Sequence, residues 1–281
     1  IIRKSLNKSF APEFINRIDE IITFRALDRN DAANIVRLEL SSLISRMAQM
    51  GYGYGSEWQL LRFLGHHRNR LENAIMKAVN VSTNDFYWFD FDFANRDKII
   101  TGDAEKAGLS FLSESDRIPK DKLDEVLKKI KEYNWTFARW QYWDAVFILD
   151  GTLYFVEAKA HTEELKSGNK EQGGTSTQAI LNFMSEMFNN QCVVSEDWVK
   201  EYYQFANRIS TVALLNSFGI KSKLLNIYFI NGYYDREHNK KKDTLESQFK
   251  EEIEKELKKL NLTQEIKDKY AVDLFIDANP E

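Results

Sequence analysis

The stretch Trp143-Asp-Ala-Val-Phe-Ile-Leu-Asp-Gly-Thr-Leu-Tyr-Phe-Val-Glu-Ala-Lys159 decides the reading of this chain. Asp150-Gly151 stands between two apolar, β-prone runs, the pattern of a two-residue hairpin. Such a turn fixes the register: Leu149 faces Thr152, Phe147 faces Tyr154, and Asp144 falls opposite Glu157. Paired side chains in a sheet have Cβ atoms about 4.5–5.5 Å apart. Lys159 lies two residues past Glu157 and shares its face, with Val146, Ile148, Leu153 and Phe155. Ala145, Phe147, Leu149, Tyr154 and Val156 take the other face. Both faces are apolar, which predicts a central hairpin buried on both sides.

Working outward, the flanking sequence alternates helical and strand patterns. One helix is predicted from Glu57 to Asn80, with Leu60, Leu64, Leu71, Ile75 and Val79 on one face. Tyr87–Phe93 alternates aromatic and acidic residues, as a strand would. Pro119–Tyr133 reads as an amphipathic helix. Helices are also predicted at Ser176–Phe188, Asp197–Phe218 and Leu245–Leu260, with strands at Leu224–Ile230 and Val272–Ile276. The fold class is therefore α/β, a mixed central sheet flanked by helices, preceded by a short, mostly helical segment. Gly51-Tyr-Gly-Tyr-Gly55 reads as a linker, giving segments 1–50, 51–55 and 56–281.

Composition narrows the function classes. The 281 residues are 43% hydrophobic and 29% charged, with a net charge of −4. That suits a globular core and argues against a bulk nucleic-acid-binding surface. Residues 1–55 hold 8 basic and 6 acidic side chains, so the acidic excess lies in the remainder. Nucleic acid would have to be held by a local basic strip or through metal ions. No apolar run is long enough to span a membrane and no secretory layout opens the chain, so a cytoplasmic location is expected. The absent leading methionine suggests a fragment or a trimmed record. The one cysteine, Cys192, excludes an internal disulfide and cysteine–zinc sites, and reads as a small buried hydrophobe.

Asp144, Glu157 and Lys159 carry the chemistry. Two carboxylates in a poorly solvated site repel, and need a cation, a shared proton or a basic neighbour. A Mg²⁺ held by Asp144 and Glu157 would polarise a phosphodiester and lower the pKa of a water, with Lys159 orienting that water or offsetting charge. The other reading is a solvated Glu157–Lys159 salt bridge on an edge strand, which the apolar flanks disfavour. His66-His67 and Cys192 lack chelating or nucleophilic partners in the pattern. His161, Lys128-Lys129 and Lys240–Lys242 are candidates for phosphate contact, and Trp135, Trp140 and Trp143 for base stacking. Gly168–Thr175 reads as a mobile loop after the catalytic strand.

Asp144…Glu157-Ala-Lys159 resembles the signature of the PD-(D/E)xK nuclease superfamily, an aspartate and a Glu-x-Lys on adjacent strands. The resemblance implies a restriction-endonuclease-like fold over about residues 56–281 and a Mg²⁺-dependent nuclease, with Mn²⁺ as a substitute metal. DNA is the implied substrate, an endonuclease the favoured form, and restriction, repair or phage defence a plausible setting. It implies Asp144, Glu157 and the Ala158 carbonyl as metal ligands and Lys159 as catalytic lysine. Many members add a helical glutamate, here Glu72, and some a glutamine on the following helix, here Gln178. Trp143 stands where the literal signature has proline. Double-strand cleavage would favour a homodimer.

A second resemblance covers residues 3–50. Pro12-Glu-Phe-Ile-Asn-Arg-Ile-Asp-Glu20 is similar to the late ATPase core of Clp-type AAA+ unfoldases. There the arginine matching Arg17 acts as an arginine finger. A buried strand at Ile21–Phe24 and a helix through Ala33, Val36, Leu40, Leu43 and Met47 follow. The chain holds no Gly-x-x-x-x-Gly-Lys-Ser/Thr loop, so this segment is not expected to hydrolyse ATP and reads as a fusion remnant. The alternatives to a nuclease are an inert, nuclease-like interaction protein that docks on an AAA+ ring, and hydrolysis of a different phosphoester.

Overall fold

The computed structural model describes residues 31, 55–89, 106–133, 141–167, 175–188, 191–235, 240–242 and 244–278. The chain divides into two units, Ile1–Met50 and Gly51–Glu281. Asp31, the one described residue of the first, is helical. The expectations for Pro12–Glu20, Arg17 and Ile21–Phe24 lie outside the described residues, as do Asp90–Phe93, Trp135, Trp140 and Gly168–Gly174.

The second unit runs α1 (Gly55–His66), α2 (Arg68–Val79), β1 (Tyr87–Trp88), β2 (Lys106–Ala107), α3 (Lys120–Glu132), β3 (Tyr142–Trp143), β4 (Ala145–Leu149) and β5 (Thr152–Lys159). It continues with α4 (Thr175–Met187), α5 (Asp197–Lys200), α6 (Tyr203–Ser217), β6 (Ser222–Ile230), β7 (Tyr233–Asp235), β8 (Lys240–Lys242), α7 (Glu246–Lys259), α8 (Gln264–Tyr270) and β9 (Ala271–Asp277). The main sheet is mixed, in the order β1-β4-β5-β6-β9. β1, β4 and β5 pair antiparallel; β6 and β9 continue parallel to β5. The fold is thus α/β, with a five-stranded mixed sheet flanked by helices.

The hairpin forms in the predicted register, with Leu149 on Thr152 and Ala145 on Val156. Asp150 and Gly151 take φ of 49° and 68°. Two successive positive φ values are what a type I′ turn requires, and they match the right-handed twist of the flanking strands. Every residue of β4 is buried, as are the six inner residues of β5. Val146, Ile148, Leu153 and Phe155 join one core with α3, α4, α6 and α7. Ala145, Phe147, Leu149, Tyr154 and Val156 join a second core with α1 and α2. Each fully buried large side chain contributes about 1.5–3 kcal/mol by leaving water.

Three element expectations are corrected. The helix expected from Glu57 to Asn80 breaks at His67, whose φ of −126° and ψ of 28° are not helical. Gly65, just before, weakens the helix by its backbone entropy. The helix expected from Asp197 to Phe218 splits into α5 and α6. Backbone groups at the break bond elsewhere: Ser167 N–H donates to the Glu201 carbonyl at 2.7 Å, and Tyr203 N–H to the Ser167 carbonyl at 2.9 Å. The chain leaving β5 thus fixes where α6 begins. α8 and the β7–β8 ribbon were not foreseen. α8 is seven residues long, too short for periodicity to reveal, and is started by the Thr263 hydroxyl accepting from Ile266 N–H at 3.2 Å.

Candidate active site

The end of the β4–β5 hairpin away from its turn gathers the titratable groups. Ala145 pairs with Val156 as the first residue of β4, so Asp144, just before it, continues the register toward Glu157. Its carboxylate Oδ2 accepts from Ala158 N–H at 2.7 Å. β4 has not yet begun at Asp144, so a side-chain acceptor takes the bond that a backbone carbonyl would have taken. Glu157 and Lys159 share the face of Phe155. Lys159 Nζ donates to Glu157 Oε1 at 2.6 Å and to Gln204 Oε1 at 2.7 Å. Glu157 Oε2 is ion-paired with Arg208 Nε.

Gln204 and Arg208 come from α6, one turn apart, and the sequence reading missed both. A signal existed. α6 is buried without a break from Phe205 to Leu215. A guanidinium inside a buried helix needs an anion, and Glu157 is that anion. Arg208 is further held by donating to the Tyr142 carbonyl at 2.8 Å and by lying 5.6 Å from the Trp143 ring centroid.

Electrostatics separate the two carboxyls. Burial alone would raise Glu157, but Arg208 and then Lys159 outweigh it and hold this carboxyl below its usual range. Asp144 is half-buried, and desolvation followed by the Glu157 charge pushes it up to about 8. Asp144 therefore carries a proton at neutral pH unless a cation replaces it. A small cavity of about 20 Å³ adjoins, lined by Glu157, Lys159, Arg208, Asn226, Tyr228 and Glu256 among others. It is sized for about one water. Glu256 on α7 is buried, and desolvation and then Asp273 raise its carboxyl well above the ordinary value. Asp273 is held by Asn226 at 3.0 Å and by an ion pair with Lys267.

The Asp144 shift has a sign that unfolding measures. The native state keeps a proton that the unfolded carboxyl, near its ordinary value of about 3.9, releases. Stability is therefore expected to fall as pH rises from about 4 to about 8. Urea unfolding across that range checks this. Asp144→Asn should flatten the Asp144 part of the slope, and an unchanged slope would contradict the assignment.

Not every expected residue joins the cluster. Glu72 sits on α2, which packs on the opposite face of the sheet through Leu71 and Ile75. Its Oε1 accepts from Trp88 Nε1–H at 2.9 Å. Gln178 on α4 is exposed and donates to Asn182 Oδ1 at 2.9 Å. Trp143 is core: it is fully buried, 4.3 Å from the Phe155 ring, and donates to the Gly108 carbonyl at 2.8 Å. His161 Nδ1 accepts from Glu163 N–H at 3.2 Å and caps a short turn after β5. Lys129 pairs with Glu132 and Glu186. Cys192 is half-buried, and burial pushes its thiol up to about 11, away from nucleophilic duty. Among the described residues no group of three or more His, Cys, Asp or Glu side chains could hold a metal ion, and no helix is long and apolar enough to cross a membrane.

The curated relatives compared with the chain match a short part of it. Over 47 residues, 17% of the chain, it is 51% identical to the chaperone protein ClpB 2 of Parasynechococcus marenigrum, of which this covers 5%. Over 51 residues, 18% of the chain, it is 37% identical to an ATP-dependent Clp protease ATP-binding subunit ClpA homolog of Cyanidium caldarium, covering 6% of that protein. Over 47 residues it is 40% identical to the ATP-dependent protease ATP-binding subunit-like protein AmiB of Pseudomonas aeruginosa, covering 17% of the chain and 13% of the relative. The chain thus spans a small fraction of the length of the curated relatives it matches. These identities support the Clp-type segment. No family model and no solved structure matches the chain.

Proposed function

We propose that the Gly51–Glu281 unit is a divalent-metal-dependent phosphodiesterase of the PD-(D/E)xK type, with a restriction-endonuclease-like fold, acting on nucleic acid and on DNA by preference. The observation that carries this reading is the convergence of Asp144, Glu157 and Lys159 at one end of the hairpin, with Glu157 and Lys159 in direct contact at 2.6 Å. A scattered arrangement would have removed it.

The donor set fits one hard divalent ion. Asp144 is the carboxyl in the cluster whose charge the neighbouring cations leave uncompensated, since its pKa stays near 8 despite Lys159 and Arg208. The Ala158 N–H that meets Asp144 is directed to the β4 side, and the carbonyl of the same strand residue is directed there too. Asp144, Glu157 and that carbonyl would hold Mg²⁺ or Mn²⁺, which would supply Lewis-acid polarisation of the scissile phosphate. The chain's own residues do the rest. Arg208 keeps Glu157 ionised. Gln204 and Glu157 fix the Lys159 ammonium in one place. Lys159 then offsets charge that develops on the phosphate oxygens or directs the attacking water. Glu72 and Gln178 have no part in this scheme.

The test is incubation of the full chain with plasmid and with single-stranded DNA under Mg²⁺, Mn²⁺ or EDTA. Cleavage is expected with either metal and not with EDTA. Intact DNA under all three conditions would overturn the reading. One observation favours a second reading: Arg208 and Lys159 already neutralise Glu157, so this carboxylate stays ionised without a metal. In that reading the unit is a catalytically inert interaction module attached to a Clp-type segment. Absence of Mn²⁺ binding by calorimetry, together with capture of an AAA+ ring, would favour it.

A further inference from the structure

The sheet end that carries Glu157 also bears two like charges that, among the described residues, have no counter-ion. Arg62 on α1 and Arg70 on α2 both lie against the Phe63 ring, with guanidinium carbons 5.7 and 5.6 Å from its centroid. Phe63 packs on Phe229 at 5.2 Å. Phe229 is the residue after Tyr228, the β6 partner of Lys159. The arginine pair therefore sits at the same end of the strands as the Glu157–Lys159 pair, approaching from the other face.

Two guanidiniums held this way repel each other. The Arg62 pKa is lowered by burial and then by Arg70. Among the described residues neither side chain forms an ion pair with a carboxylate. Arg62 Nε and Nη2 and Arg70 Nη1 are covered from solvent without any acceptor. Native structures rarely leave charged donors in that condition, because they lose water and gain nothing for it. Both residues are only half-buried, so part of each guanidinium still faces outward. Neighbouring Arg68 is differently placed: its Nε donates to the Leu64 carbonyl at 3.1 Å and it lies 5.2 Å from the Trp88 ring.

The start of α2 adds to the same locality. His67 provides no side-chain cap, and the first turn holds no acidic residue. The first backbone N–H groups of a helix, and the positive end of its dipole, suit an anion from outside the chain. Paired guanidiniums match phosphate oxygens in shape as well as charge.

We infer that Arg62, Arg70 and the first turn of α2 form a binding site for a phosphate group of a nucleic-acid backbone, at the strand end that carries the Glu157–Lys159 pair but on the other face of the sheet. Its assignment to nucleic acid rests on the phosphodiesterase reading of the Glu157 site. It also answers a question raised by composition: an acidic domain that binds a polyanion needs a local cluster of fixed cations.

The experiment is fluorescence anisotropy of a labelled duplex oligonucleotide with the full chain in EDTA, so that cleavage does not interfere. The unsubstituted chain is compared with Arg62→Gln/Arg70→Gln over a series of salt concentrations. Binding is expected to weaken about tenfold at low salt, and the plot of log affinity against log salt to become shallower by about one unit, the loss of one phosphate contact. Arg62→Lys/Arg70→Lys, which keeps the charge, should retain most of the salt slope. The glutamine variant should melt no lower than the parent, because it removes a repulsion, so misfolding is separable from lost binding. Unchanged affinity and slope would overturn the site, and if that protein still cut DNA the nuclease reading would stand. Weakened binding in a chain that never cuts DNA would uphold the site and remove the nuclease reading. A rise in melting temperature with inorganic phosphate that disappears in the glutamine variant, without any oligonucleotide effect, would overturn the nucleic-acid assignment.

Discussion

Lys159→Met is expected to lower metal-dependent DNA cleavage by about a hundredfold to a thousandfold, the usual scale for removing one fixed charge that acts on the transition state. The variant should remain folded. Glu157 keeps its Arg208 partner, and the methionine occupies much of the volume of the lysine stem. Gln204 loses its donor, a cost of about 1–3 kcal/mol at most if no water replaces it. The measurement is initial rate on plasmid DNA at saturating Mg²⁺, beside a thermal melt. A folded Lys159→Met protein with the parent's rate would end the proposed role of Lys159 and, with it, the hydrolase reading of the hairpin.

Arg208→Met is expected to be the most damaging substitution for stability. It leaves Glu157, only 4% exposed, with Lys159 as its remaining cation. Breaking one partner out of a buried pair typically costs about 3–5 kcal/mol, because the remaining charge has lost water without compensation. That is a large part of the stability of an ordinary domain. The same physics gives a control. In Glu157→Gln/Arg208→Met no buried carboxylate is left over, so the double variant should unfold at a higher urea concentration than Arg208→Met alone. Equal or lower stability of the double variant would mean that Arg208 acts through packing on Trp143 and its bond to the Tyr142 carbonyl rather than through Glu157. Both proteins should be inactive, since Glu157 is either mispaired or absent.

The two substitutions act on different contacts of one cluster, and their contrast separates chemistry from architecture. Glu157, one of the two groups that hold Lys159, keeps a second cation without it. Arg208 is needed by the group it holds. A structural ion pair would make both variants unstable and would not single out the rate in Lys159→Met.

The local part of this protein was written in its sequence. Asp150-Gly151 can take two positive φ values in succession, so the turn, the β4–β5 register and the approach of Asp144 to Glu157 followed from adjacent residues. Apolar residues on both strand faces likewise announced a central, doubly covered hairpin. Tertiary structure decided the rest, because it depends on residues far apart in the chain. Arg208 and Gln204 reach the site only when α6 docks across the sheet, 45 or more residues after Lys159, and α6 can start at Tyr203 because Ser167 takes over the backbone bonds at the break. Glu72 has the spacing of a helical ligand, but α2 packs on the far face and Trp88 claims its carboxylate. Side-chain periodicity says which stripe of a helix is buried. It does not say which face of the sheet receives that stripe, and for a catalytic carboxylate the choice of face is what matters.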